Sequence, residues 1–100
     1  MDEAVYTLGV WRVKSGKEDT FIEAWKELGT IFAQLPQPPG KGTLLQSLDN
    51  PLLFYSFGPW NSLADIQMMR NNPDAQEGLR LLQELCTEAT PGEFRVVAEA

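Results

Sequence analysis

The side chains best suited to chemistry lie close together, in residues 52–70: Tyr55, Trp60, Asn61 and Arg70. A guanidinium offers a planar fork of donors to an oxyanion. An indole N–H and a phenol O–H each give one directed hydrogen bond from a largely apolar body. A carboxamide adds a dipole. On adjoining strand and helix ends these groups suit a small aromatic ligand whose oxygen carries or develops negative charge. Each also has a plainer use: Trp60 and Tyr55 in packing or a chain-to-chain contact, Asn61 as a helix cap, Arg70 as a solvated cation.

Other chemistries are set aside by what the chain lacks. It has no histidine and a single cysteine, so the commonest acid/base group and metal ligand is missing and no intramolecular disulfide can form. Cys86 falls in register with Leu79 and Leu82 near the end of a helical stripe, with no imidazole to activate it. Glu18, Asp19, Glu23 and Glu27 read as the solvated face of a helix, Met68 and Met69 as core filling, and Trp11 and Trp25 as packing residues. Without a glycine-rich phosphate loop either, the expectation is a protein with no haem, flavin or structural metal.

One hundred residues allow one domain, spanning 1–100, and 43% hydrophobic against 22% charged residues is a composition that folds. Fourteen acidic and eight basic side chains leave a formal charge of -6, which repels a phosphate backbone or an anionic lipid surface, so neither nucleic acid nor membrane is an expected partner. The start Met1-Asp2-Glu3 runs straight into a strand-like segment with no export leader, and no apolar run approaches the roughly 20 residues of a membrane helix. A soluble cytoplasmic protein is expected.

The elements that must position the candidate residues follow from periodicity. Residues 4–13 are β-branched and aromatic and form a first strand, apolar on both faces. Ser15 with Glu18 fits a capping box, and Phe21, Trp25, Leu28, Phe32 and Leu35 form one helical stripe ended by the proline-rich stretch 36–40. Residues 43–48 and 52–57 make a hairpin about Asp49-Asn-Pro51. Asn61 or Ser62 caps a helix carrying Leu63, Ile66 and Met69; Pro73 breaks it, Asp74 restarts it, and Pro91-Gly92 turns the chain into a last strand over 94–98. The order β-α-β-β-α-β closes most simply as an α+β, ferredoxin-like, four-stranded antiparallel sheet with its helices on one face, since each right-handed crossover skips a strand position. Strands one and three are then central. The helices cover one face only, leaving large apolar side chains of strand one on the other, and at about 25 cal/mol per Å² their exposure forfeits several kcal/mol. A partner sheet, hence a homodimer, is the expected cover.

This pattern resembles the dimeric α+β barrel superfamily, and within it the antibiotic biosynthesis monooxygenase-like (ABM) proteins. The resemblance rests on Trp11-Arg-Val-Lys-Ser-Gly-Lys-Glu-Asp-Thr-Phe-Ile-Glu-Ala-Trp25 at the first strand and helix, on Asp49-Asn-Pro51 at the hairpin, on Phe57-Gly-Pro-Trp60-Asn-Ser62 before the second helix, and on Met69-Arg-Asn-Asn-Pro73 after it. It implies a homodimer whose two sheets close a barrel, with a pocket between sheet and helices in each subunit. Many such proteins carry a histidine in the second helix, about where Met68 or Met69 stands here, and its loss removes haem ligation and histidine-based proton transfer. Two functions fit the resemblance. One is a cofactor-independent oxidoreductase, a small monooxygenase acting on an aromatic or polyketide-like compound that reacts as its phenolate with oxygen. The other is a non-catalytic small-molecule-binding or dimeric interaction module on the same fold. An RNA recognition motif would need basic and aromatic sheet signatures, and an acylphosphatase an arginine-bearing glycine loop after strand one; neither is present.

Overall fold

A computed structural model describes residues 5–100. Strand β1 (Val5–Val13) leads to helix α1 (Glu18–Ala33), the hairpin β2 (Thr43–Gln46) and β3 (Leu53–Trp60), helices α2 (Leu63–Arg70) and α3 (Pro73–Glu84), and strand β4 (Cys86–Arg95). The strands form one antiparallel sheet in the order β2-β3-β1-β4, so the two segments that read as apolar on both faces are indeed central. Ala4, the expected first residue of the first strand, lies outside the described residues. No helix among the described residues is long and apolar enough to cross a membrane.

Four local expectations are corrected. The Ser15 capping box does not form: Gly16 takes a left-handed turn with φ 85°, the helix begins two residues later, and its cap Lys17 makes no side-chain bond. Glu18 and Asp19 in the first turn still complement the helix dipole. Helix α1 stops at Ala33, because Leu35 precedes a proline and is excluded from helical backbone; Leu35 packs against the core from beyond the helix end. Strand β3 runs past Phe57 through Pro59 to Trp60. Pro59 is tolerated there because β2 pairs with β3 only as far as Phe57, so no ladder donor is missed. Strand β4 starts at Cys86 and holds Pro91 and Gly92 in its interior, which an edge strand permits, and it ends at Arg95 where the sequence suggested that it was beginning. The second helical segment splits as expected, but at Asn72, whose Oδ1 accepts from the amides of Asp74 and Ala75 with Pro73 in the first turn. Ser62 caps α2 through the Asp65 amide.

The period of two along each strand separates two apolar faces. Trp11 and Val13 of β1 with Phe54 and Trp60 of β3 point to the helices, where they meet Phe21 and Leu28 of α1, Ile66 and Met69 of α2, and Ala75 and Leu82 of α3. On the reverse, Tyr6, Leu8 and Val10 stand opposite Pro59, Phe57 and Tyr55, flanked by Leu45 and Phe94. Leu45, Tyr55, Phe57 and Phe94 are 51%, 43%, 37% and 55% exposed, so this face is uncovered within the chain.

Cys86 pairs with Val13 at the start of β4 and belongs to the core instead of ending a helical stripe. Burial pushes its thiol up from 9.0 to about 11, with Lys14 opposing. A raised thiol pKa means that folding favours the protonated form. Its contribution is complete below pH 9.0 and is lost as pH climbs toward about 11. Urea midpoints compared between wild type and Cys86→Ala across that window are expected to diverge at neutral pH and converge at its top; parallel curves would contradict the assignment.

Candidate functional site

A cavity of about 660 Å³ opens between α1, the loop over residues 34–42 and the helix-facing side of β1 and β3. That volume is in the range of small-molecule sites. All three tryptophans line it, and the fold explains how. Trp11 folds back along β1 over Gly9, where a Cβ would come within 2.6 Å of the indole nitrogen, so only glycine leaves room. From there its Nε1–H donates to the Ser56 hydroxyl on β3 at 2.9 Å. Trp60, at the end of β3, donates from Nε1 to the Thr7 hydroxyl at 3.0 Å and meets Phe32 of α1 edge-on, ring centroids 5.3 Å apart. Both indole N–H groups are thereby satisfied, which holds the two rings in place.

Among the described residues the ionisable side chains lining the cavity are Lys26, Lys41 and Arg70, with no carboxylate. In a chain with fourteen acidic residues and a charge of -6 this lining is cationic, although Lys26 pairs with Glu23 at 3.1 Å on the exposed side of α1. Arg70 ends α2 and reaches across to β4, where its Nη2 donates to Glu93 Oε2 at 2.8 Å. Its backbone carbonyl accepts from Gln76 Nε2 at 2.8 Å, which fixes the α2–α3 corner. The Arg70 Nε–H is buried without an acceptor among the described residues, and the residue lines the cavity. Among the described residues no group of three His, Cys, Asp or Glu side chains could hold a metal ion.

Of the four residues singled out in the sequence, Trp60 and Arg70 line the cavity together and Tyr55 and Asn61 do not. Tyr55 lies between the inward residues Phe54 and Ser56, so strand alternation puts it on the reverse face beside Val10 and Leu45. Asn61 is exposed, and its amide only reaches the Pro38 carbonyl at 3.5 Å, tying the 34–42 loop to the end of β3. Sequence reasoning passed over Trp11, Trp25, Thr7, Ser56, Lys26 and Lys41. A signal existed for the first group: the inward row of β1 reads Val5, Thr7, Gly9, Trp11, Val13, and two small residues inside an apolar row mark a hollow. For the lysines there was none: Lys41 depends on how the 34–42 loop returns over the sheet, and Lys26 lies beside Trp25 on α1, off its apolar stripe.

No protein-family model matches the chain and no curated protein matches it by sequence. Solved structures do. SnoaB from Streptomyces nogalater, a cofactor-independent oxygenase, in a single-substitution form, aligns with a TM-score of 0.86 at 19% identity, covering 96% of this chain and 95% of that one. The fold is that of the antibiotic biosynthesis monooxygenases. A candidate antibiotic biosynthesis monooxygenase from Bordetella bronchiseptica aligns at 0.82 with 17% identity over 96% and 99% of the two chains, and one from Nitrosomonas europaea at 0.82 with 16% identity over 97% and 93%. At these identities the likeness is one of architecture, and it agrees with the ABM-like pattern that the sequence motifs suggested.

Proposed function

We propose that the chain is a small cofactor-independent monooxygenase that binds an aromatic compound as its phenolate in the cavity and works as a homodimer. The observation that carries this reading is the combination of tryptophan walls with an ionisable lining that, among the described residues, is made of cations. In such a reaction the substrate supplies both electron pairs that reduce oxygen: one oxygen atom forms a new bond to ring carbon, the other leaves as water, and two substrate hydrogens complete it. The chain's part is to hold the ring between apolar walls, exclude water, and keep the phenolate ionised beside Arg70 through a charge-assisted bond. The oxygenase SnoaB, on the same fold, supports the oxygenase half of the reading.

The lining also favours a second reading. Among the described residues it holds no histidine, carboxylate, thiol or phenol to take the substrate's proton, which suits a binding protein that performs no reaction. Oxygen uptake separates the two. With chelator present and no flavin added, hydroquinones, naphthols and anthrone-type phenols are offered in turn, and the enzyme reading expects at least one to consume one O2 per molecule in proportion to protein. Saturable binding of such phenols with no uptake above the protein-free control would establish the binding module instead.

A further inference from the structure

Two of the three cavity tryptophans are pinned by hydrogen bonds, and the third is not. Ser56 and Thr7 take the N–H groups of Trp11 and Trp60, whereas no hydrogen bond holds Trp25 among the described residues, and its side chain is half-buried. Trp25 also borders more than one space. It lines the cavity of about 660 Å³ and, on its other side, a groove of about 340 Å³ walled by Ile22, Leu44 and Phe54 between α1 and the β2–β3 hairpin. Lys26 lines both spaces as well, so Trp25, with Lys26 beside it on α1, forms the partition between them.

Its place across the sheet gives the partition a direction. A Cβ on Gly42, immediately before β2, would lie 3.5 Å from the far edge of the Trp25 ring, so this tryptophan stands at the β2 side. Arg70 is anchored to Glu93 of β4, and β2 and β4 are the two opposite edges of the sheet. A ligand with its anionic oxygen at Arg70 extends across β1 and β3 and ends against the Trp25 ring.

We propose that Trp25 is the residue that sets ligand length in this cavity: the site takes an elongated aromatic anion whose far ring stops at the indole, and without the indole the groove under β2 becomes part of the site. The inference rests on the cavity being the ligand site, as in the proposed function. Removing Trp25 opens space at one end only, so long ligands gain while short ones held at Arg70 do not reach the change. Leu44 and Ile22 then form the new end wall.

The test uses para-linked phenols, namely phenol, 4-phenylphenol and 4-hydroxy-p-terphenyl, with binding measured by equilibrium dialysis under nitrogen so that no oxygen chemistry intervenes. The ratio of three-ring to one-ring affinity is expected to rise at least tenfold in Trp25→Ala. Trp25→Leu, which keeps much of the apolar volume that α1 needs, is expected to move the same way, and Leu44→Trp in that background is expected to reverse the gain by refilling the groove. A smaller change in both Trp25 variants, or a gain that Leu44→Trp leaves in place, overturns the proposal. Arg70→Gln keeps the two readings apart. If it leaves the binding of every phenol unaltered, the cavity is not the site and both readings fall; if it weakens binding while the length ratio ignores Trp25, only the role of Trp25 is wrong.

Discussion

Val10→Lys is expected to abolish self-association and to leave an unstable monomer, raising the dimer dissociation constant at least about a thousandfold, or about 4 kcal/mol. Val10 sits on β1 in the middle of the uncovered face, with Tyr55 opposite on β3, Thr90 opposite on β4, and Leu45 one strand further out. Large apolar side chains such as those of Leu8, Tyr55, Phe57 and Phe94 contribute about 1.5–3 kcal/mol each when removed from water. For a domain whose whole margin is about 5–15 kcal/mol, leaving this row wet is a heavy loss. The proposed homodimer removes it by laying one copy's sheet against the other's. A two-fold interface repeats every substitution, so two ammonium groups enter one apolar layer without partners. Gln83→Lys, on the exposed side of α3, adds the same charge elsewhere and is the control. Sedimentation and the protein-concentration dependence of the urea midpoint read the outcome. A wild-type chain that sediments as a stable monomer of 11.2 kDa would sink the homodimer itself.

The uncovered face shows what the sequence could and could not disclose. That strands one and three are central followed from the β-α-β-β-α-β order with right-handed crossovers; their apolar composition and the observed order β2-β3-β1-β4 agree. Which side chains belong to which face did not follow for β3. Leu53, Phe54, Tyr55 and Phe57 carry no alternation of polarity, so the register that sends Tyr55 to the reverse face and Ser56 to the cavity is decided by pairing with β1. The opposite condition, a largely polar and exposed run, hid β4. Its exposed run, with Pro91 and Gly92 inside it, reads as a turn, and only its edge position makes those residues compatible with a strand. Trp60 and Arg70 were legible as neighbours for a local reason: Trp60 ends β3 just before α2, and Arg70 ends α2, which Asn72-Pro73 separates from α3. The cavity's hydroxyl-pinned indoles were not legible, since Trp11 reaches Ser56 across 45 residues of sequence.

Arg70→Gln is expected to lower kcat/KM for a turned-over phenol by 10²–10³-fold, about 2.7–4 kcal/mol, the effect of deleting one donor from a preorganised anion site. Folding should scarcely notice. The Arg70–Glu93 pair has side chains 35% and 39% exposed, and solvent-screened pairs of that kind contribute about 0–1 kcal/mol. Arg70→Lys should recover little, because an ammonium is a point charge on a flexible stem and cannot keep one donor on Glu93 while presenting others in a fixed plane. Tyr55→Phe, on the reverse face, should stay within twofold. The pH profile then shows at which stage the guanidinium acts. If Arg70 stabilises the bound phenolate, the acidic limb of kcat moves upward by about 2–3 units in Arg70→Gln, since each unit corresponds to about 1.36 kcal/mol. If it acts only on charge that develops during oxygen attack, kcat falls at every pH and the limb stays where it was. Wild-type rates in Arg70→Gln, with Trp60→Phe equally silent, would place the reacting ring elsewhere. A fall in folding stability that matched the fall in rate would make Arg70 a strut between α2 and β4, and the cavity would lose its claim to be built for an anion.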